Sequence, residues 1–119
     1  MKVPTHIVAA HCVVTFPAVV DIANAPGLRT ALRQVIEEHA DTCRGLVADL
    51  SASRFVTATA LSVLVEARLR AREHGMRLCA VAPAPLARKA FTLTGLHRVI
   101  PLYATLGDVP RPRPAPAER

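Results

Sequence analysis

Hydrophobic positions along the chain follow two alternating periods. Near the start, residues 6–10 (HIVAA) and 12–16 (CVVTF) are short runs rich in β-branched side chains, the pattern of strands. So little chain separates them that they pair antiparallel, and Pro17 closes the second because proline offers no amide to a ladder. The period then lengthens. In GLRTALRQVIEEHA, Leu28, Ala31, Leu32, Val35 and Ile36 recur at helical spacing, with Arg29, Arg33 and Glu37 on the opposite side. Asn24 stands where an N-cap is expected and Pro26 suits the opening turn.

The run GLVADL, residues 45–50, reads as a strand whose Leu46, Val47, Ala48 and Leu50 indicate burial on both faces, hence a central parallel strand. After the loop SASRF, residues 60–74 place Leu61, Leu64, Val65 and Leu69 on one stripe and Ser62, Glu66, Arg70 and Glu73 elsewhere. Leu61, Leu64 and Leu69 are expected to face the sheet, which leaves Ser62, Val63, Glu66 and Arg70 outward. Glu66 and Arg70 form an i,i+4 pair in the favourable order, and Gly75 stops the helix. MRLCAVA (76–82) is the next strand, PAPLARKAFTLTG a helix opened by proline and ended by Gly95, and RVIPLY a last strand.

The order β-β-α-β-α-β-α-β gives an α/β fold. Right-handed crossovers make the helix-linked strands parallel, so the sheet is mixed: mostly parallel with an antiparallel N-terminal edge, covered by amphipathic helices. At 119 residues the chain suits one domain, expected over residues 1–109. From 110 to 119, the Pro/Arg-rich PRPRPAPAER has alternating proline and almost no hydrophobic side chain larger than alanine to bury, and is expected to be a disordered tail.

Composition narrows the function. No apolar run approaches the ~20 residues of a membrane span, and the first residues lack a signal-peptide pattern, so a cytoplasmic protein without membrane contact is expected. Cys12, Cys43 and Cys79 contain no CxxC pair and are odd in number; reduced thiols follow, with Cys12 and Cys79 as core residues. The net charge of +6 is scattered through Arg68, Arg70, Arg72, Arg77, Arg88, Lys89 and Arg98, without aromatic platforms or a recognition helix. It reads as a solvated face, with no direct nucleic-acid contact.

Catalytic signatures are absent: no P-loop, GxGxxG, GxSxG or HExxH occurs. The five histidines lack metal-ligand spacing, and only Asp21 and Asp49 fall near strand ends where an α/β site forms. No catalytic residue, metal ligand or cofactor is therefore assigned. One feature is left: Thr57 and Thr59 at the head of the second helix, where unpaired amides favour either a capping oxygen or an added phosphate. N-capping is the expected role of at least one of them, although no Glu or Gln stands three residues on to complete a capping box.

These residues together resemble a family, the STAS domains of bacterial anti-sigma factor antagonists, over about the first 109 residues. VVDIANAPGLRTAL is similar to its acidic strand-to-helix turn and Pro-led helix; VADLSASRFVTATALSVLVEARLRAREHGMRL to its phosphorylation loop and second helix; TLTGLHRVIPLYATL to its closing segment. The resemblance implies a STAS-like mixed sheet and a non-enzymatic module that sequesters an anti-sigma factor of the serine kinase class. Members commonly read Asp-Ser-Ser-Gly-Leu or Asp-Ser-Thr-Gly-Leu at the helix start, the first hydroxyl after Asp accepting phosphate from the partner kinase. Here the positions hold Thr57, Ala58, Thr59, Ala60 and Leu61, so the phosphoacceptor position is Ala58, which has no hydroxyl. Ala18 and Val19 depart from the usual Gly-Glu, while Asp21 keeps its place.

The partner-binding surface implied comprises Asp21, Thr57, Ala58, Thr59, Ala60, Ser62, Val63 and Glu66, with Thr57 and Thr59 as candidate phosphorylation sites. Ordinarily such a turn is switched by close to two added negative charges; at Ala58 that switch cannot operate, and constitutive or otherwise regulated binding is expected. The alternative is a ligand- or lipid-linked STAS module without a kinase switch.

Overall fold

A computed structural model of the protein describes residues 2–111. Strands β1 (Thr5–Val8), β2 (His11–Thr15), β3 (Gly45–Asp49), β4 (Arg77–Val81) and β5 (Leu102–Tyr103) alternate with helices α1 (Ala25–His39), α2 (Ala58–Glu73) and α3 (Pro85–Thr94). The sheet order is β1-β2-β3-β4-β5, with β1 antiparallel to β2 and every other pair parallel. That is the mixed sheet with an antiparallel N-terminal edge expected from the sequence. The last strand is shorter than expected: Leu96–Arg98 form a short 3-10 turn, and only Leu102 and Tyr103 pair with β4. The expected tail lies, beyond Arg111, outside the described residues.

Period-two alternation divides the strands between two faces. Cys12, Val14, Leu46, Ala48, Leu78 and Ala80 join buried residues from all three helices in the main core. Val13, Val47, Cys79 and Val81 point the other way, against Tyr103, Leu106 and Val109. The helices thus lie on one side of the sheet, and the C-terminal segment crosses the other.

Helix α1 buries Leu28, Ala31, Leu32, Val35 and Ile36 as its spacing predicts. Helix α2 differs. Its buried residues are Ala60, Val63, Leu64, Ala67 and Ala71, whereas Val65 and Leu69 are exposed and Leu61 is half-buried. Val63, expected on the outside, is 1% exposed. The helix is turned by about one residue, roughly 100°, from the stripe its largest side chains suggest. Small alanines on the inner face let α2 sit close against β4 and α1, and hydrophobicity alone gives alanine too little weight to reveal this.

Two local features hold the N-terminal edge. The β1–β2 hairpin turns on Ala9 and Ala10, both at positive φ (49° and 67°), the geometry of a two-residue hairpin turn usually given to Asn-Gly. At the foot of β3, a Cβ on Gly45 would collide with the ring of His11, so the buried imidazole packs directly on glycine backbone. Burial lowers the His11 pKa, opposed by hydrogen bonding to the Val8 and Ala9 backbone.

All three cysteines are free and buried. Burial is the main cause that raises the Cys12 and Cys79 thiols to about 11, which keeps both protonated at neutral pH. The core role expected for them holds.

Candidate functional site

The head of α2 is built from two loops joined by one hydroxyl. Thr57 has extended backbone and serves as N-cap; its Oγ1 accepts from the Ala60 amide at 3.0 Å. The same hydroxyl donates to the Val20 carbonyl at 2.6 Å, which ties the loop before α2 to the loop before α1. Capping is thus the role of Thr57, and its proton is already committed.

The second loop is closed by a reciprocal pair. The Asp21 amide donates to Asn24 Oδ1 and the Asn24 amide to Asp21 Oδ1, both at 2.9 Å, and Asn24 Nδ2 donates to the Val19 carbonyl at 2.8 Å. Asn24 does occupy the N-cap position of α1, but its side chain bonds backwards and makes no cap bond to the helix. Asp21, itself exposed, shapes the loop that receives Thr57. Asp49 acts in a comparable way, since its Oδ1 accepts from the Ser51 amide at 3.0 Å and from the Ser51 hydroxyl, folding the start of the loop that leads to α2.

At the corner itself Ala58 is exposed, Thr59 half-buried and Ala60 buried. The structure therefore brings Asp21, Thr57, Ala58 and Thr59 together at the surface, with Ser62 exposed one turn further along. Ala60 and Val63 belong to the core beneath, which corrects the expectation that Val63 faces outward. Glu66 is exposed but engaged: its Oε2 receives Arg29 Nε of α1 at 2.7 Å. This cross-helix ion pair replaces the expected Glu66–Arg70 pair within α2, and being solvent-accessible it contributes about 0–1 kcal/mol.

Sequence reasoning missed the apolar rim. Ile22 is 85% exposed and Phe55 49% exposed; each lies two residues from a member of the Val20–Thr57 hydrogen bond. Leu61 and Val65 line a shallow notch with Ser62, Glu66, Thr94 and Leu96. The signal was available in AVVDIANAP, where Ile22 interrupts a turn without belonging to any helical stripe. No group of three or more His, Cys, Asp or Glu side chains able to hold a metal occurs among the described residues.

The head of α2 thus presents exposed Ala58, with exposed Ile22 and Phe55 on the two loops that the Thr57–Val20 bond joins. The chain belongs to the STAS domain family, whose model matches residues 2–109. No curated protein matches it. Among solved structures, an anti-sigma factor antagonist from Mycobacterium paratuberculosis is 31% identical with a TM-score of 0.76, the match covering 89% of this chain and 87% of that one. The anti-sigma factor antagonist SpoIIAA in its unphosphorylated form shares the fold at 14% identity and a TM-score of 0.70, over 89% of this chain and 90% of that one. The fold recurs in SLC26A9, at 13% identity and a TM-score of 0.65, where 83% of this chain matches 19% of that much longer one. No helix among the described residues is long and apolar enough to cross a membrane.

Proposed function

We propose that this protein is an anti-sigma factor antagonist-like binding module that sequesters an anti-sigma factor of the serine kinase class, and that its corner lacks the usual phosphate switch. Binding the anti-sigma factor frees a sigma factor, so the output is transcriptional without DNA contact, catalysis or a cofactor. The observation that carries this reading is the state of the corner: Ala58 is exposed and has no hydroxyl, and the Thr57 hydroxyl is bonded at both ends. Asp21, Thr57, Ala58, Thr59, Ser62 and Glu66 form the contact, widened by Ile22 and Phe55. Thr59 is the remaining candidate phosphoacceptor. The reading is tested by calorimetric titration of a purified kinase-class anti-sigma factor. Ala58→Asp is expected to weaken binding by about tenfold or more, since an interface must desolvate the new carboxylate, while Ala58→Ser binds as the wild type does; equal affinity of the Asp variant would remove the corner from the interface.

A second reading, a ligand- or lipid-linked STAS module without a kinase switch, is favoured by the shared fold with SLC26A9. It predicts a rise in melting temperature with nucleotides or lipid, and no affinity for the anti-sigma factor.

A further inference from the structure

The outer side of β1 is an unfinished sheet edge. The Thr15 amide donates to the Pro4 carbonyl at 2.9 Å, and the register sets Thr5 against Val14, His6 against Val13, Ile7 against Cys12 and Val8 against His11. Bonded and non-bonded pairs alternate along an antiparallel ladder. His6 and Val8 therefore bond to β2, and the amides and carbonyls of Thr5 and Ile7 point away from the sheet. Among the described residues no strand lies beyond β1.

Proteins commonly protect such an edge with charge, proline or a bulge. Here the strand is short and Pro4 stands at its start, but Thr5–Val8 carry neither a charged residue nor a bulge. No Asp, Glu, Lys or Arg occurs between Lys2 and Asp21, in a chain whose net charge is +6. Ile7 is 53% and Val8 40% exposed. Two copies of a chain this basic repel each other over most of their surfaces, and the charge-free stretch is also the one whose backbone lacks partners.

We propose that β1 is a contact between two copies of this chain, which pair these strands antiparallel about a twofold axis to form one continuous sheet. The register that satisfies the outward groups and uses the whole strand sets Thr5 opposite Ile7 of the second copy, each exchanging both backbone bonds. His6 then meets His6 of the second copy on the axis, as a non-bonded pair with Cα atoms about 4.5 Å apart. A contact this short buries well under the ~800 Å² per partner of a stable interface, so the dimer is weak and concentration-dependent. Helix α2 itself packs on β4 and α1, away from β1.

Single-cysteine substitutions in the full chain read the register directly, because the native thiols are all buried. Under mild oxidation with oxidised glutathione, His6→Cys is expected to cross-link into a disulfide dimer, since a Cα separation near 4.5 Å permits the bond. Thr5→Cys and Val8→Cys, which face other residues across the axis, should remain monomeric. Ile7→Pro removes only an outward amide, leaves the β1–β2 ladder intact, and should hold the chain monomeric where wild-type sedimentation shows mass rising with concentration. Cross-linking at no position or equally at all three, or a wild type that stays monomeric at millimolar concentration, would overturn the proposal.

Discussion

Thr57 fills two roles with one hydroxyl, as cap of α2 and as the tether of the Val20 loop. A phosphate on this oxygen would break the bond it donates and crowd the one it accepts. Thr57→Ala is expected to lower unfolding free energy by about 1–2 kcal/mol in urea denaturation, and Thr57→Ser to recover most of it. A loss within a few tenths of a kcal/mol would mean that the tether to Val20 carries no weight. Ala58 beside it is exposed and makes no side-chain hydrogen bond, so its substitution is expected to leave the fold in place and to act on the proposed contact alone.

At the scale of elements, two features depart from what local sequence favours. The hairpin turn places two alanines in the left-handed region, where L-residues with a Cβ cost about 1–2 kcal/mol each. Replacing them together, Ala9→Asn with Ala10→Gly, should raise stability by about 1 kcal/mol or more, read as a higher urea midpoint; a lower midpoint would show that the turn has another geometry. Helix α2 departs in its facing. Val63→Asp should unfold the domain, because it buries an unpaired carboxylate, whereas Leu69→Asp should stay within about 0.5 kcal/mol of the wild type. The reverse order of the two would restore the orientation that the larger side chains suggest.

The same two helices show what the sequence makes legible. Helix α1 has its large apolar residues and its buried face in one stripe, so periodicity alone locates it. In α2 the inner face is mostly alanine and the larger Val65 and Leu69 face solvent, so the stripe drawn by hydrophobicity points the wrong way. The Thr57 cap was legible from residue type at a helix head. Its bond to Val20, the backward turn of Asn24 and the Arg29–Glu66 pair join segments distant in sequence or depend on side-chain direction, and no spacing rule supplies them.

For the whole molecule, the sheet sets a division of labour. One end gathers the loops after β2 and β3 into the corner at Ala58, and the free edge of β1 lies on the far side of β2. Exposed Ala58 at this corner has no hydroxyl to take a phosphate, so the docking proposed there is constitutive. The most direct test is to incubate the protein with a kinase-class anti-sigma factor, ATP and magnesium, then measure its intact mass and its affinity for that factor together. Constitutive docking predicts an unchanged mass and the same affinity as without ATP; a protein that gains a phosphate at Thr59 and releases its partner would contradict it.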